Sequence, residues 1–137
     1  MSFGESVRVV LFEKYATFKG RASRSEYWWW YLFFVLIQSI LNAAGLDVLS
    51  GVFVVAVLIP HIAVAVRRLH DIGMSGWWAF FYYLTPVVFF VMAMSFASDN
   101  VIFLFSGLWI VISLASLVLF CLRGTHGANR YGTDPLR

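Results

Sequence analysis

Four long stretches without a charged residue dominate this sequence. They cover residues 27–46, 48–66, 77–97 and 101–122 and are 20, 19, 21 and 22 residues long. An α-helix rises about 1.5 Å per residue, so about 20 residues cross a hydrocarbon core of roughly 30 Å. Because lipid offers the backbone no hydrogen-bond partner, each N–H and C=O group must be satisfied by the protein, which a helix does within one segment. The pattern predicts four transmembrane helices.

The composition leads to the same class of protein. Of the 137 residues, 61% are apolar and only 12% are charged, whereas soluble domains carry about 25% charged residues. A soluble chain of this length could not bury so many apolar side chains, because a small domain has much surface for its volume. A disulfide scaffold is excluded because Cys121 is the only cysteine in the sequence. We therefore predict an all-α membrane protein, a four-helix bundle that forms one integral membrane domain over residues 1–137.

The basic residues indicate the orientation in the membrane. All 10 Lys and Arg residues lie before the first stretch, between the second and third, or after the fourth. The two remaining loops contain Asp47 and Asp99 but no basic residue. Because Lys and Arg in short loops mark the cytoplasmic side, we predict a multi-pass inner (cytoplasmic) membrane protein with both termini in the cytoplasm. The tryptophans at 28–30, 77 and 78 lie at the same interface, where indole rings are favoured.

The segment before the first span has a different pattern. Phe3, Val7, Val10, Leu11 and Phe18 fall on one side of a helical wheel. This pattern predicts a short N-terminal helix that lies in the membrane interface. The segment lacks the short apolar region and small-residue cleavage site of a signal peptide, so we expect the first span to be retained in the mature protein.

Three polar stretches adjoin the predicted spans on the cytoplasmic side. They read FKGRASRSEYWW over 18–29, RRLHDIGMSGWW over 67–78 and GANRYGTDP over 127–135. With these motifs in this order, the chain resembles over nearly its whole length the small bacterial inner-membrane family known as domain of unknown function 805. That family usually has Pro where Thr133 stands, a difference that concerns only the local turn. The resemblance implies a fold and a compartment but no activity, because none is established for the family.

The predicted topology brings polar side chains of the three motifs to one level at the cytoplasmic face. We take the following residues as a candidate binding cluster: Arg21, Arg24, Glu26, Arg67, Arg68, His70, Asp71, Asn129 and Arg130. In one interpretation they form a polar lid of caps and ion pairs that fastens the helix ends. In the other they bind an anionic group, because the guanidinium fork of arginine takes phosphate or carboxylate through two hydrogen bonds and pairs with lipid headgroups of the cytoplasmic leaflet.

Helical spacing gives one member of the cluster a specific role. If the second helix continues to Gly73, Asp71 lies three residues from Arg68 and four from Arg67, and such side chains are neighbours on a helix. We predict that Asp71 holds one of these arginines. His70 and Asp71 are adjacent, so their side chains point about 100° apart and do not naturally form an acid–base pair. No nucleophile with its own base is evident, and we expect no catalytic residue and no enzymatic activity.

Three strongly polar residues fall inside the predicted spans. Gln38 and Asn42 lie four apart in the first span and can bond to a neighbouring helix. In the second span His61 follows Pro60, which lacks an N–H and leaves the carbonyl near Ala56 without its helical donor. An ionisable residue inside a span is a functional candidate. The simpler interpretation is a neutral imidazole bonded to a neighbouring helix.

Two functions compete on these observations, and a membrane enzyme ranks third behind them. The first is a non-enzymatic membrane protein whose cytoplasmic cluster binds anionic lipid headgroups or a partner. The alternative is a small transporter or channel that uses His61 and the proline breaks at Pro60 and Pro86. The histidines and Cys121 lack zinc-like spacing, and membrane topology already explains the basic residues. We therefore expect no metal, no cofactor and no nucleic-acid partner. We expect membrane lipids and a second copy of the chain as partners, since four short helices bury little surface.

Overall fold

A computed structural model of the chain describes residues 1–96 and 99–136. The N-terminal helix α1, Phe3–Arg8, runs directly into a π-helical stretch over Val9–Glu13. Four long helices follow, namely α2 over Arg24–Ala43, α3 over Asp47–Asp71, α4 over Trp77–Phe96 and α5 over Asp99–Cys121. In the part of the chain that the structure describes, extended pairing is limited to one bridge between Asn129 and Gly132. The all-α prediction is confirmed.

Each predicted apolar stretch corresponds to one long helix, with small shifts at the ends. α2 begins before the predicted span because Ser23 caps it, its hydroxyl accepting a hydrogen bond from the N–H of Glu26 at 3.2 Å. α3 extends past the predicted span to Asp71 and ends before Gly73, as the motif indicates. Gly73 has a φ of +81°, a left-handed conformation that glycine adopts without strain. The predicted third span ends at Ala97, which lies outside the described residues.

Two helices are long and apolar enough to cross a membrane over the residues that the structure describes. They are Asp47–Asp71, with 25 residues, and Ile102–Cys121, with 20 residues. In α4 the stretch over Trp77–Phe89 is apolar but shorter. α2 has 20 residues, of which Arg24 and Glu26 are charged. The second and fourth predicted spans therefore correspond to helices of membrane-spanning length.

Consecutive long helices pack against each other, α2 on α3, α3 on α4 and α4 on α5. The short turns between them favour antiparallel neighbours. α5 also returns to α2, since the rings of Tyr27 and Phe120 stack with centroids 4.3 Å apart and 15° between their planes. This contact lies near the start of α2 and the end of α5, so the polar motifs at those two ends come together.

The N-terminal segment packs against α2 and α3. Val9 and Val10 are buried, and the buried Ser6 donates a hydrogen bond to the main-chain carbonyl of Glu26 at 2.6 Å. Val9 does not belong to the predicted apolar face. It is buried because the stretch from Val9 to Glu13 is wound as a π-helix, whose wider turn shifts the buried face relative to an α-helix. The buried side of this segment, with Ser6, Val9 and Val10, thus contacts the other helices, whereas Phe3 and Phe18 of the predicted apolar face are exposed.

The three consecutive tryptophans of α2 differ in how far they are buried. Trp29 is 39% exposed, whereas Trp30 is fully buried. Its Nε1–H donates a hydrogen bond to Nδ1 of His61 on α3 at 3.2 Å. Successive residues of a helix point about 100° apart, so three tryptophans in a row cannot all face lipid. Trp30 therefore belongs to the core rather than to an aromatic belt.

A second polar link joins α2 and α3 further along the two helices. The side-chain amide of Gln38 donates to the hydroxyl of Ser50 at 2.6 Å, and that hydroxyl donates to Oδ1 of Asn42 at 2.9 Å. Ser50 is buried. Hydrogen bonds of this kind hold helices together where lipid gives them no hydrophobic reason to associate. Gln38 and Asn42 therefore fasten α2 to α3.

Candidate functional site

Asp71 lies at the centre of a buried ion-pair network at the end of α3. Nε and Nη2 of Arg21 are each 2.8 Å from Oδ1 of Asp71. Nη1 of Arg68 donates to the other carboxylate oxygen, Oδ2. The side chains of Arg21, Arg68 and Asp71 are 1%, 0% and 5% exposed. One carboxylate thus holds two arginines, and we call these three residues the arginine clasp. Of the two arginines next to Asp71 on α3, its partner is Arg68 and not Arg67.

The remaining donors of the two clasp arginines go to main-chain carbonyls. The acceptors belong to Ala22, Phe120, Leu122, Thr125 and Gly127. Two of these carbonyls lie at the end of α5, where the last turn of a helix has no internal donor. The clasp therefore joins four parts of the chain: the segment before α2, the end of α3, the end of α5 and the C-terminal tail.

Two residues that sequence reasoning missed bring the tail against Asp71. A β-carbon on Gly124 would overlap the Asp71 carboxylate, so the chain can pass here only without a side chain. The N–H and the hydroxyl of Thr125 both donate to the main-chain carbonyl of Asp71, at 2.8 and 3.1 Å. In the sequence Gly124 signals only a helix end. No local pattern relates it to a carboxylate on α3.

A second buried ion pair lies next to the clasp. Nη1 of Arg67 is 2.6 Å from Oε1 of Glu26, with side chains 1% and 2% exposed. The main-chain carbonyl of Arg67 also accepts a hydrogen bond from the N–H of Ala22 at 3.0 Å. Nε and Nη2 of Arg67 are buried and make no hydrogen bond to a described residue. A buried charge that loses its partner strongly destabilises a protein, so the Arg67–Glu26 pair holds α2 and α3 together at this end.

His70 connects the end of α3 to the tail, beyond the predicted span 48–66. Its ring stacks on that of Tyr131, with centroids 3.9 Å apart and 6° between the planes. Nδ1 is 3.1 Å from the carbonyl of Gly20, so Nδ1 carries the hydrogen. Burial lowers the pKa of His70, the hydrogen bond with Gly20 opposes this shift, and nearby Arg130 adds to it. The ring is thus neutral at neutral pH and serves as a stacking platform.

The tail is fastened at two more points. The side-chain amide of Asn129 donates to the carbonyl of His70 at 3.0 Å, and Nη2 of Arg130 donates to the carbonyl of Gly73 at 3.1 Å. The guanidinium of Arg130 also lies 4.7 Å from the centre of the Tyr131 ring. Asn129 and Arg130 therefore act on the tail and the turn after α3, and they do not converge on the clasp.

Arg24 and Arg123 differ from the clasp arginines because both are exposed. Neither side chain makes a hydrogen bond or an ion pair with another described residue. Both line a cavity of about 200 Å³ beside the clasp. Arg24 also lines a larger groove of about 510 Å³, whose other walls include Trp28, Leu32 and the exposed Cys121. Since Arg24, Trp28 and Leu32 follow one another at four-residue spacing, the groove runs along α2 with the guanidinium at its start.

His61, which falls inside the second predicted span, lies among aromatic side chains. Nδ1 of His61 accepts the hydrogen bond from Trp30, so this nitrogen bears a lone pair and the neutral ring carries its hydrogen on Nε2. A cavity of about 280 Å³ adjoins His61 and Pro86. Pro60 and Pro86 both lie inside continuous helices. The carbonyl of Ala56, which Pro60 leaves without its donor, accepts a hydrogen bond from the Tyr15 hydroxyl.

The candidate cluster therefore divides into three parts. Five members are buried in ion pairs, namely Arg21, Glu26, Arg67, Arg68 and Asp71. His70, Asn129 and Arg130 hold the tail, while Arg24 faces outward. Among the described residues, no group of three His, Cys, Asp or Glu side chains is placed to hold a metal ion. What the arrangement offers chemically is the guanidinium of Arg24, unpaired among the described residues, beside an apolar groove, and that of Arg123 in the adjoining cavity.

Helices of spanning length, apolar side chains over their outer faces and charges paired at one end define an integral membrane protein. The family model described as "Protein of unknown function (DUF805)" matches residues 15–133, and the chain belongs to this family. The resemblance seen in the three motifs is thereby confirmed.

The relatives agree with this class. Inner membrane protein YhaI of Escherichia coli (strain K12) is 37% identical over 131 residues, which cover 91% of either chain. Inner membrane protein YhaH of the same strain is 32% identical over 135 residues, covering 91% of this chain and 92% of YhaH. Uncharacterized protein YiiR is 33% identical over 133 residues, covering 86% and 85%. No solved structure matches the chain. These similarities support an inner membrane location.

Proposed function

We propose that this inner membrane protein spans the bilayer four times, with both termini in the cytoplasm, and binds anionic phospholipid at its cytoplasmic face without catalysing a reaction. The observation that carries the proposal is Arg24, an exposed arginine whose side chain has no partner among the described residues and lies at the start of an apolar groove. The headgroup phosphate binds Arg24 and Arg123, and an acyl chain lies along Trp28 and Leu32.

The chemistry of this groove suits a phospholipid. A guanidinium group binds phosphate through two parallel hydrogen bonds. Trp28 and Leu32 provide an apolar wall directly below it, and Arg123 adds a second charge beside the same cavity as Arg24. Anionic lipids of the cytoplasmic leaflet attract such residues with about 1 kcal/mol per Lys or Arg near the surface. A charged end and an apolar wall in one groove match the two ends of a lipid.

The clasp arginines have a different role in this proposal. Arg21 and Arg68 are buried, and their donors are used by Asp71 and by carbonyls. A headgroup could reach them only by breaking these contacts, and leaving a buried charge unpaired costs about 3–5 kcal/mol. The proposal therefore assigns lipid binding to Arg24 and Arg123, and the joining of helix ends to Arg21 and Arg68.

Native mass spectrometry of the detergent-solubilised protein tests this assignment with phosphatidylglycerol and with phosphatidylcholine of the same acyl chains. We expect Arg24→Gln to lower phosphatidylglycerol retention about fivefold, the factor that corresponds to the loss of one surface arginine. Phosphatidylcholine retention should be unchanged. Arg24→Lys keeps the charge but loses the two parallel N–H donors of the guanidinium group, so its phosphatidylglycerol retention should lie between those of the wild type and Arg24→Gln.

Arg8→Gln is the matched control. Arg8 is also exposed and basic, but it pairs with Glu13 at 3.2 Å and lies away from the groove. Its substitution should leave phosphatidylglycerol retention as in the wild type. Equal losses in Arg8→Gln and Arg24→Gln would mean that only overall charge matters, and the groove would not be a lipid site.

The four-span topology is supported by three observations. All 10 basic residues lie on one side of a four-span arrangement. α3 and α5 have spanning length and composition, and α2 and α4 have 20 residues each. Finally, the clasp joins the segment before α2, the end of α3 and the end of α5, which is where an even number of antiparallel spans places them.

A small transporter or channel is a second candidate, favoured by the cavity that adjoins His61 and Pro86. The helices continue through both prolines, and the Tyr15 hydroxyl donates to the Ala56 carbonyl that Pro60 leaves without a donor. These positions therefore do not form the unwound breaks of a transporter site. Proton entry into proteoliposomes under an imposed potential tests this candidate. Transport requires that the wild type leaks protons faster than empty vesicles and that His61→Gln abolishes the difference.

A further inference from the structure

We infer that the cavity beside His61 binds the ring of a quinone, an uncharged planar group with carbonyl acceptors. The cavity has a volume of about 280 Å³ and lies between α2, α3, α4 and α5. This volume is near the lower end of small-molecule pockets in proteins, which suits one ring system. The inference is independent of lipid binding at Arg24, since the two cavities share no lining residue.

Two of the hydrogen-bond donors that border this cavity make no hydrogen bond to a described residue. The Tyr83 hydroxyl is buried and makes no hydrogen bond to a described residue. On His61, Nδ1 accepts from Trp30, so the hydrogen is on Nε2, and no described residue accepts it. A buried donor without a partner costs about 1–3 kcal/mol, so a ligand that accepts from the buried Tyr83 hydroxyl would recover this energy, and Nε2 of His61 offers it a second donor. The cavity therefore offers hydrogen-bond donors to a ligand that supplies acceptors.

The walls select a planar and uncharged ligand. Aromatic rings form much of the lining, with Tyr27, Tyr31, Phe34, Tyr82 and Trp109 among them. Aromatic rings pack favourably against another ring in offset or edge-to-face arrangements. None of the described residues that line the cavity is charged, so an ionic ligand would lose its hydration without compensation.

The cavity is open toward the outer surface of the protein, where the bilayer would lie. Tyr31 and Leu58 line the cavity and are 38% and 46% exposed on the outer surface of the protein. A second cavity of about 360 Å³ shares Tyr27, Tyr31, Tyr82 and Trp109 with the first and continues toward the end of α5. A lipid-soluble molecule can therefore enter from the membrane with its ring beside His61 and its tail outside. Quinones are the membrane-resident class with an uncharged ring, carbonyl acceptors and an apolar tail.

Titration with duroquinone, whose ring positions are all blocked against reaction with Cys121, tests the inference. The full chain is placed in nanodiscs of phosphatidylcholine, and quenching of tryptophan fluorescence reports binding next to Trp30 and Trp109. We expect saturable quenching. Tyr83→Phe should raise the Kd about threefold to tenfold, the loss of one hydrogen bond, whereas Tyr131→Phe, the same change outside the cavity, should leave the Kd unchanged.

Two further measurements separate a ligand site from a structural role. Because the Tyr83 hydroxyl makes no hydrogen bond to a described residue, Tyr83→Phe should leave the Tm of the unliganded protein unchanged or raise it. Durene has the same methylated ring without carbonyls and should stabilise the wild type against heat much less than duroquinone. Equal stabilisation by both compounds, an unchanged Kd in Tyr83→Phe or quenching that does not saturate would each overturn the inference.

Discussion

The hydroxyl of Tyr15 donates a hydrogen bond to the main-chain carbonyl of Ala56, 41 positions further along the chain. Ala56 lies four residues before Pro60, and a proline cannot supply the N–H that this carbonyl would accept in a regular helix. The N-terminal segment therefore completes the hydrogen bonding of α3 at the one turn that Pro60 leaves incomplete.

Tyr15→Phe should lower the free energy of unfolding by about 1–3 kcal/mol, because it leaves an acceptor unsatisfied. Thermal unfolding in detergent measures the loss. Hydrogen exchange should also become faster in α3 around Pro60 and in the N-terminal segment that packs on it.

A double-mutant cycle with Pro60→Ala isolates this contact. Alanine restores the N–H that the Ala56 carbonyl accepts in a regular helix, so Tyr15→Phe should cost much less in the Pro60→Ala background. If the cost is the same in both backgrounds, Tyr15 acts through packing and the hydrogen bond contributes nothing.

Only one partner of this contact could be predicted from the sequence. The i to i−4 geometry of a helix identifies Ala56 as the carbonyl that Pro60 frees, and the apolar stretches identify the long helices. The residue that fills the gap belongs to a segment whose position depends on packing across three elements, so Tyr15 could not be named. The partner of Asp71 illustrates the same limit, since spacing indicated an arginine on α3 but not Arg21 from 50 residues away.

Asp71→Asn should lower the free energy of unfolding by about 3–5 kcal/mol, because it leaves two buried arginines without their carboxylate. The loss of stability should first affect the segments that the clasp joins. Hydrogen exchange should become faster at the ends of α3 and α5 and in the tail, where Arg21 and Arg68 bond to carbonyls.

Glu13→Gln provides the control for the removal of one carboxylate. Glu13 pairs with Arg8 at 3.2 Å, but the two side chains are 49% and 69% exposed. Exposed pairs contribute about 0–1 kcal/mol, so this variant should unfold nearly as the wild type does. Similar losses in the two variants would contradict the central role of the clasp.

Gly124→Ala should destabilise the clasp without changing any charge. The new β-carbon would overlap the Asp71 carboxylate, so the tail or the ion pair must shift. We expect a lower Tm and the same local pattern of hydrogen exchange as in Asp71→Asn. Gly107→Ala is the control, since a β-carbon there has no atom within 4 Å and alanine favours the helix. A Tm in Gly124→Ala equal to that of the wild type would show that this close approach is not needed.

The number of spans gives the last prediction. Since all 10 basic residues lie before α2 or at its first residue, in the last turns of α3, or after α5, the positive-inside rule places these parts of the chain in the cytoplasm. Green fluorescent protein fused after residue 137 or in the loop after α3 should fluoresce, and alkaline phosphatase at these positions should be inactive. The opposite results should be found at Asp47 and Asp99. A C-terminus that activates alkaline phosphatase while the loop after α3 remains cytoplasmic would require an odd number of spans between them. The clasp would then have to form across the membrane, which its contacts at 2.5–2.8 Å between the tail, Arg21 and Asp71 forbid.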